Sequence, residues 1–161
     1  MPDKTRSPRP LTSSGRFAVA AVGGTFNGLH VGHRDYLAVA FRLAVVVHVF
    51  ITDDKYAKRR KPYPVDPVRK RARQVADFAA AHAEGADCIP HIISSPHDVD
   101  VFCTAEELDL VVVVPEHRRR FEVLNRTRRA NGLPEFFLLV KPRTTDSGLD
   151  ISARRSQPGL S

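Results

Sequence analysis

The chain has 161 residues, 42% of them hydrophobic, which suits one domain with a proper core and excludes a disordered protein. Its 25 Lys+Arg against 18 Asp+Glu leave a net charge of +7, which favours polyanionic partners, either nucleic acid or phosphate-bearing small molecules, without choosing between them. The longest apolar runs, Leu43–Val47 and Leu108–Pro115, are far too short to cross a bilayer, and the basic, polar N-terminus has no apolar signal core, so a cytoplasmic protein is expected.

In chain order, residues 1–15 (MPDKTRSPRPLTSSG) are rich in Pro, Ser and charge with almost nothing to bury, and read as a disordered basic tail. Residues 16–157 read as the folded domain and 158–161 as a loose C-terminus. Phe17–Val22 is a short apolar run ending at Gly23-Gly24, the pattern of a buried strand. From Leu29 to Leu43 the apolar positions Leu29, Leu37, Ala40, Phe41 and Ala44 recur at helical spacing. Val45–Thr52 is β-branched and predicts a second strand. Asp66-Pro67 opens a helix with Val68, Ala72, Val75, Ala76 and Ala79 on its apolar face. Cys88–Ile93 predicts a third strand, Ala105–Leu108 a short helical piece, and Leu110–Val114 a buried strand. Phe121–Asn131 reads as a helix closed by Gly132, and Phe136–Val140 as a fifth strand. Strands alternating with helices predict an α/β, Rossmann-like parallel sheet of about five strands with helices on both faces. Ligands of such sheets bind at the carboxyl ends of the strands. Cys88 and Cys103 lack C-x-x-C spacing and read as small buried thiols.

The segment with chemical content is GGTFNGLHVGH, Gly23 to His33, between the first strand and the first helix. Glycines at a strand-to-helix turn let the backbone approach a ligand, and unbonded N–H groups at a helix start attract anions. His30 and His33 are three apart and share a helix face, with Gly32 removing the side chain that would crowd a phosphate. Two imidazoles above a helix N-terminus suit a triphosphate whose charge rises during transfer, a chemistry that needs placement and charge stabilisation. A plain turn with incidental histidines is the bland alternative. A zinc site would need further ligands, and no cysteine or third histidine lies nearby in sequence.

GGTFNGLHVGH resembles the first signature of the H-x-G-H nucleotidyltransferases. ITDDKYAKRRK followed by DPVRKR, VVVVPEHRRR, LNRTRRANGL and DISARR are similar, in order and spacing, to segments of the phosphopantetheine adenylyltransferases of the archaeal and eukaryotic type. The likeness spans residues 17 to 155. It implies a Rossmann-like fold and transfer of AMP from ATP to 4′-phosphopantetheine, giving dephospho-CoA and pyrophosphate, with Mg²⁺ accompanying ATP. Relatives that adenylate or cytidylate other phosphorylated acceptors, in FMN- or NAD-type synthesis, share the first signature. The resemblance also leans towards a monomer.

Carried over by position, His33 and His30 would be catalytic at the ATP phosphates. Gly24, Thr25, Phe26, Gly32, Arg128, Ser152, Arg154 and Arg155 would complete the nucleotide site. Thr25, Asn27, Thr52 and Lys58 would meet the acceptor, with Lys55, Arg59, Arg60 and Lys61 competing with Lys58 for its phosphate. The second signature departs from the family: Ala153 to Gln157 (ARRSQ) follow Ile151-Ser152 where S-T-R-I-R is usual, and Pro158-Gly159 come where a helix would continue.

Positive charge clusters at Lys58–Lys61, Arg69–Arg73, Arg118–Arg120 and Arg126–Arg129. All but the second follow predicted strand ends and would funnel polyanions to the site. The Arg69–Arg73 run, mid-helix, is expected to be solvated. A competing class, a non-catalytic relative that binds RNA through this basic surface, is disfavoured by the shortage of aromatics for base stacking, with no Trp and three Tyr.

Overall fold

The first four of five short apolar strands are each followed by helix that carries the chain back to the same end of the sheet, so all five run parallel. The structure, a computed structural model, describes residues 8–142 in full and the backbone of 145–146 and 149–150. Its elements are β1 Phe17–Gly24, α1 Val31–Leu43, β2 Ala44–Thr52, α2 Asp54–Arg60, α3 Val68–His82, β3 Asp87–Ile93, α4 Pro96–Ala105, β4 Leu110–Val113, α5 Arg118–Ala130 and β5 Phe137–Val140. A 3₁₀ turn, Pro115–His117, joins β4 to α5, and β6 (Thr145–Asp146) pairs antiparallel with β7 (Leu149–Asp150).

The main sheet has the order β3-β2-β1-β4-β5 with every pairing parallel. The chain winds outward from β1 to β3, then crosses to β4 on the other side of β1. Between β1 and β4 the helices leave in opposite directions, and a crevice opens at the carboxyl ends of these strands. Successive strand residues alternate between two cores. Ala20, Val22, Val47, Val49, Ile51, Leu110 and Val112 pack on Leu37, Ala40 and Phe41 of α1 and on Val75 and Ala79 of α3. Ala21, Phe50, Val111 and Val113 pack on Cys103 of α4 and on Phe121 and Leu124 of α5. Burial of a ring such as Phe41 contributes on the order of 2–3 kcal/mol. The architecture is the Rossmann-like sheet covered on both faces that the sequence predicts. No helix among the described residues is long and apolar enough to cross a membrane.

Element ends follow local chemistry. Gly132 takes φ +76° just past α5, and the Leu133 N–H bonds the Arg128 carbonyl, closing the helix as expected. Two helices escape the apolar pattern. The first, α2, is short and basic, and starts where Asp53 Oδ1 accepts from the Tyr56 N–H at 2.7 Å. The second, α4, begins at Ser95-Pro96 and ends at Ala105, so the helical piece expected over Ala105–Leu108 is corrected: residues 106–109 are non-helical. A proline at the first helical position was the missed start signal. Of the expected disordered tail, residues 8–15 are described, and there Arg9 is anchored: its Nε and Nη2 donate to the two carboxylate oxygens of Asp109 at 2.5 and 2.7 Å.

Candidate active site

The loop after β1 takes an unusual path. Phe26, Gly28 and Leu29 all have positive φ, at +55°, +72° and +39°. For Phe and Leu this conformation costs roughly 1–2 kcal/mol each. Both side chains are buried in the core, which offsets that strain. A Cβ on Gly24 would meet the Phe26 ring at 3.4 Å, so the ring packs directly against this glycine. The curled backbone delivers His30 to the N-cap of α1, where its Nδ1 accepts from the Gly32 N–H at 3.1 Å. That bond leaves Nε2 as the protonated nitrogen of neutral His30, a hydrogen-bond donor. His33 follows one turn later: its ring stacks on His30 at 3.8 Å between centroids, and Phe26 meets it edge-on at 5.4 Å. The two imidazoles stand together at a helix start, where the backbone dipole favours an anion.

The second wall comes from the end of β2. Thr52 donates from Oγ1 to Thr25 Oγ1 at 3.0 Å, joining the ends of two neighbouring strands. Beneath them lies Arg71 of α3, fully buried. Its Nη1 donates to the carbonyls of Thr25 (2.9 Å) and Thr52 (2.7 Å), its Nε to the Asp66 carbonyl (2.8 Å), and its Nη2 to Asp54 Oδ1 (3.1 Å). Asn27 adds a strut by accepting from the Asp66 N–H through Oδ1 at 2.8 Å.

These parts line a cleft of about 250 Å³. Gly24, Thr25, Phe26, His30, Gly32 and His33 form one side, with Thr52 beside them. Arg60 and Lys61 at the end of α2 and His117 and Arg120 after β4 bring basic groups to it. Pro96, Val99 and Phe121 supply an apolar wall, and Tyr36, Tyr56 and Tyr63 also face the cavity. Arg120 is fixed by donating to Asp100 Oδ1 (2.6 Å) and the Pro96 carbonyl (2.9 Å), and its guanidinium lies 5.4 Å from the Phe121 ring centre. Cys103 also lines the cleft, but burial pushes its thiol up to about 12, so it stays protonated and unreactive. Among the described residues no group of three or more His, Cys, Asp or Glu is placed to hold a metal ion.

Seven of the expected site residues therefore come together: Gly24, Thr25, Phe26, His30, Gly32, His33 and Thr52. Three do not. Asn27 is 2% exposed and spends its side-chain oxygen on the Asp66 backbone, so it props the loop and does not face the cleft. Lys58 is exposed on α2 away from the cavity, and Arg60 and Lys61 occupy the position expected of it. Arg128 is 2% exposed, and its guanidinium donates to the carbonyls of Pro134, Cys103 and Glu106. Burial lowers its pKa, and its role here is to tie α5 to the end of α4. Ser152, Arg154 and Arg155 lie outside the described residues. His117 was not foreseen, Arg120 was foreseen only as part of a basic cluster that funnels polyanions, and the expectation that the Arg69–Arg73 run is solvated is corrected at Arg71, which is fully buried. Arg71 had a signal, since it lies one turn from both Val68 and Val75 on the buried stripe of α3.

The cytidylyltransferase-like family model matches residues 21–132. The phosphopantetheine adenylyltransferase of Methanopyrus kandleri is 32% identical over 146 residues, covering 90% of this chain and 92% of the relative. Its namesake from Pyrococcus horikoshii is 28% identical over 148 residues, covering 90% and 91%. Among solved structures, a protein of unknown function from Archaeoglobus fulgidus superposes with a TM-score of 0.63 at 23% identity, covering 83% of this chain and 98% of that one. The tyrosyl-tRNA synthetase of the same organism gives 0.57 at 14% identity, covering 94% and 66%. These two structures are similar in fold alone.

Proposed function

The chain belongs to the cytidylyltransferase-like family, and on that premise we propose that it transfers the adenylyl group of ATP to the phosphate of 4′-phosphopantetheine, forming dephospho-CoA and pyrophosphate. The stacked His30–His33 pair at the start of α1 carries this reading, because it sets two imidazoles and a helix N-terminus beside the Thr25–Thr52 hydroxyls. Relatives named phosphopantetheine adenylyltransferase, aligned along nine-tenths of the chain, support the acceptor.

In the proposed reaction an oxygen of the acceptor phosphate attacks the α-phosphorus in line. The new P–O bond forms as the bond to the β-phosphate oxygen breaks, and pyrophosphate leaves with the electron pair. No protein base is required, since a phosphate monoester is already anionic near neutral pH. The protein contributes orientation and charge neutralisation. His30 and His33 donate to the triphosphate, Thr25, whose hydroxyl is held by accepting from Thr52, donates to a reacting phosphate, and Arg60 and Lys61 attract the acceptor. Mg²⁺ would accompany ATP as part of the substrate and would supply charge neutralisation at its phosphates. The two carboxylates after β2 are committed elsewhere: Asp53 caps α2, and Asp54 accepts from the Val68 N–H and Arg71. The resemblance to the adenylyltransferases leans towards a monomer as the working unit, acting in the cytoplasm.

Pyrophosphate release tests the proposal. The protein with ATP and Mg²⁺ is expected to turn over when 4′-phosphopantetheine is added and to stay inactive with FMN or nicotinamide mononucleotide. Turnover with one of those acceptors instead, or with CTP in place of ATP, would overturn the assigned substrates.

A further inference from the structure

Arg71 closes the DPVRKR segment and belongs to a basic run expected to be solvated, yet it is the largest fully buried side chain among the described residues. We propose that Arg71 is a positioning residue for the transfer reaction, setting the rate through the carbonyls of Thr25 and Thr52. The inference rests on the adenylyl-transfer reading and adds a residue that does not itself line the cleft.

Its donors are distributed over three loops. One reaches the loop after β1 through Thr25, one the end of β2 through Thr52, one the α2–α3 connection through Asp66, and a fourth reaches Asp54 at the start of α2. Bonds shorter than 3 Å to the Thr25 and Thr52 carbonyls turn those oxygens down into the protein. With the carbonyls pinned, the two hydroxyls that face the cleft stay 3.0 Å apart at the mouth of β1 and β2. Solvent exposure would cost this guanidinium nothing, so its burial is spent on the loops, as hydrogen bonds to carbonyls together with the Asp54 carboxylate. Misplacement of reacting groups by about 1 Å can cost on the order of 10²-fold in rate, so a residue that fixes two strand ends can govern kcat without touching substrate.

A lysine at this position keeps the charge but cannot serve four acceptors arranged around a planar fork. Arg71→Lys is therefore expected to lower kcat by about 10- to 100-fold, with the KM values for ATP and 4′-phosphopantetheine within about threefold. Loss of fold alone would not produce that split. The discriminating measurement is a double-mutant cycle with Thr52→Val, read as pyrophosphate release. If Arg71 acts through Thr52, the double variant loses little more than the worse single variant. If the two losses multiply, the proposal is overturned. Should Arg71→Lys prove insoluble, Asp54→Asn serves in the same cycle. It removes the charge opposite Arg71 while keeping the oxygen that accepts from the Val68 N–H and Arg71. A three- to tenfold fall in kcat that does not multiply with Thr52→Val supports the proposal, and independent losses sink it. A parent protein that releases no pyrophosphate overturns the acceptor reading and this inference with it. A parent that turns over while the losses multiply overturns Arg71 alone.

Discussion

The two ends of the sheet use buried charge in opposite ways. At the amino end, Asp109 is 3% exposed and completes the ladder: its N–H bonds the Val19 carbonyl at 2.9 Å, its carbonyl accepts from the Phe137 N–H at 2.7 Å, and its carboxylate accepts from the Val19 N–H and from Arg9. Standing just before β4, that one residue is bonded to β1 at Val19 and to β5 at its first residue, Phe137. The paired carboxylate, in turn, holds the Arg9 guanidinium above its ordinary pKa. At the carboxyl end, Arg71 draws carbonyls away from the ladder, and the loop it supports carries Phe26 and Leu29 in left-handed conformations. One end spends polar groups on closing the sheet, and the other spends them on holding it open around a cleft. Strain gathers where a ligand would sit, as it does at functional sites generally.

If that division is correct, substitutions at the two ends should separate activity from stability. His33→Ala is the most severe test on the carboxyl side. Removing one well-placed donor from an electrostatic site costs on the order of 10²–10³ in rate. His33 is half-buried at the start of α1, so the unfolding midpoint should hardly move while kcat falls by about that factor. A loss below tenfold would remove His33 from the assigned role. On the amino side, Asp109→Ala leaves the Val19 N–H and Arg9 without their acceptor. It should lower the unfolding free energy measured in urea by about 3 kcal/mol, with kcat of the folded fraction within twofold. Arg9→Ala, whose side chain is a third exposed, should cost less, about 1 kcal/mol. A variant of Asp109 that loses activity at unchanged stability would erase the distinction between the ends.

The same contrast explains what the sequence made legible. Strands buried on both faces advertise themselves as solid apolar runs, so β1, β2, β4 and the two-faced sheet could be read directly. The stretch from Gly24 to His33 was legible because glycine and histidine spacing reports backbone geometry, and seven of the expected residues face the cleft. Polar side chains that turn inward leave no such trace. Arg71 and Arg128 sit in runs whose neighbours Lys70, Arg73 and Arg126 are exposed, and composition cannot mark which member of a basic run finds carbonyls to satisfy it. The short helices α2 and α4 were missed for a related reason. Their starts depend on single residues, Asp53 and Pro96, and not on an apolar repeat. Lys58 shows the limit of placing residues by motif, because one helical turn separates an exposed cation from the ones that reach the cleft.

The smallest predicted effect lies between the two ends, on the face of β2 and β3 under α4. His48 Nδ1 and His91 Nε2 stand 2.8 Å apart, with Phe50 stacked on His91 at 4.8 Å and Phe102 of α4 at 4.7 Å from His48. Burial holds both imidazoles below the usual 6.5. For His48 the neighbouring His91 lowers the value further, against a weaker opposing pull from Glu106. The unfolded chain thus takes up protons near pH 6.5, before the folded chain does, so this pair gives its full stability above that pH and loses it as pH falls through 6.5 towards the lower folded values. Urea midpoints at pH 7.5 and 5.0 should show it as a difference between proteins. The parent should lose more stability over that interval than a His48→Gln/His91→Gln variant, in which the carboxylates still titrate but the imidazoles are gone. An equal loss in the two would mean that the pair is protonated as easily in the fold as out of it. The packing of Phe50 and Phe102 around the half-buried pair would then admit water.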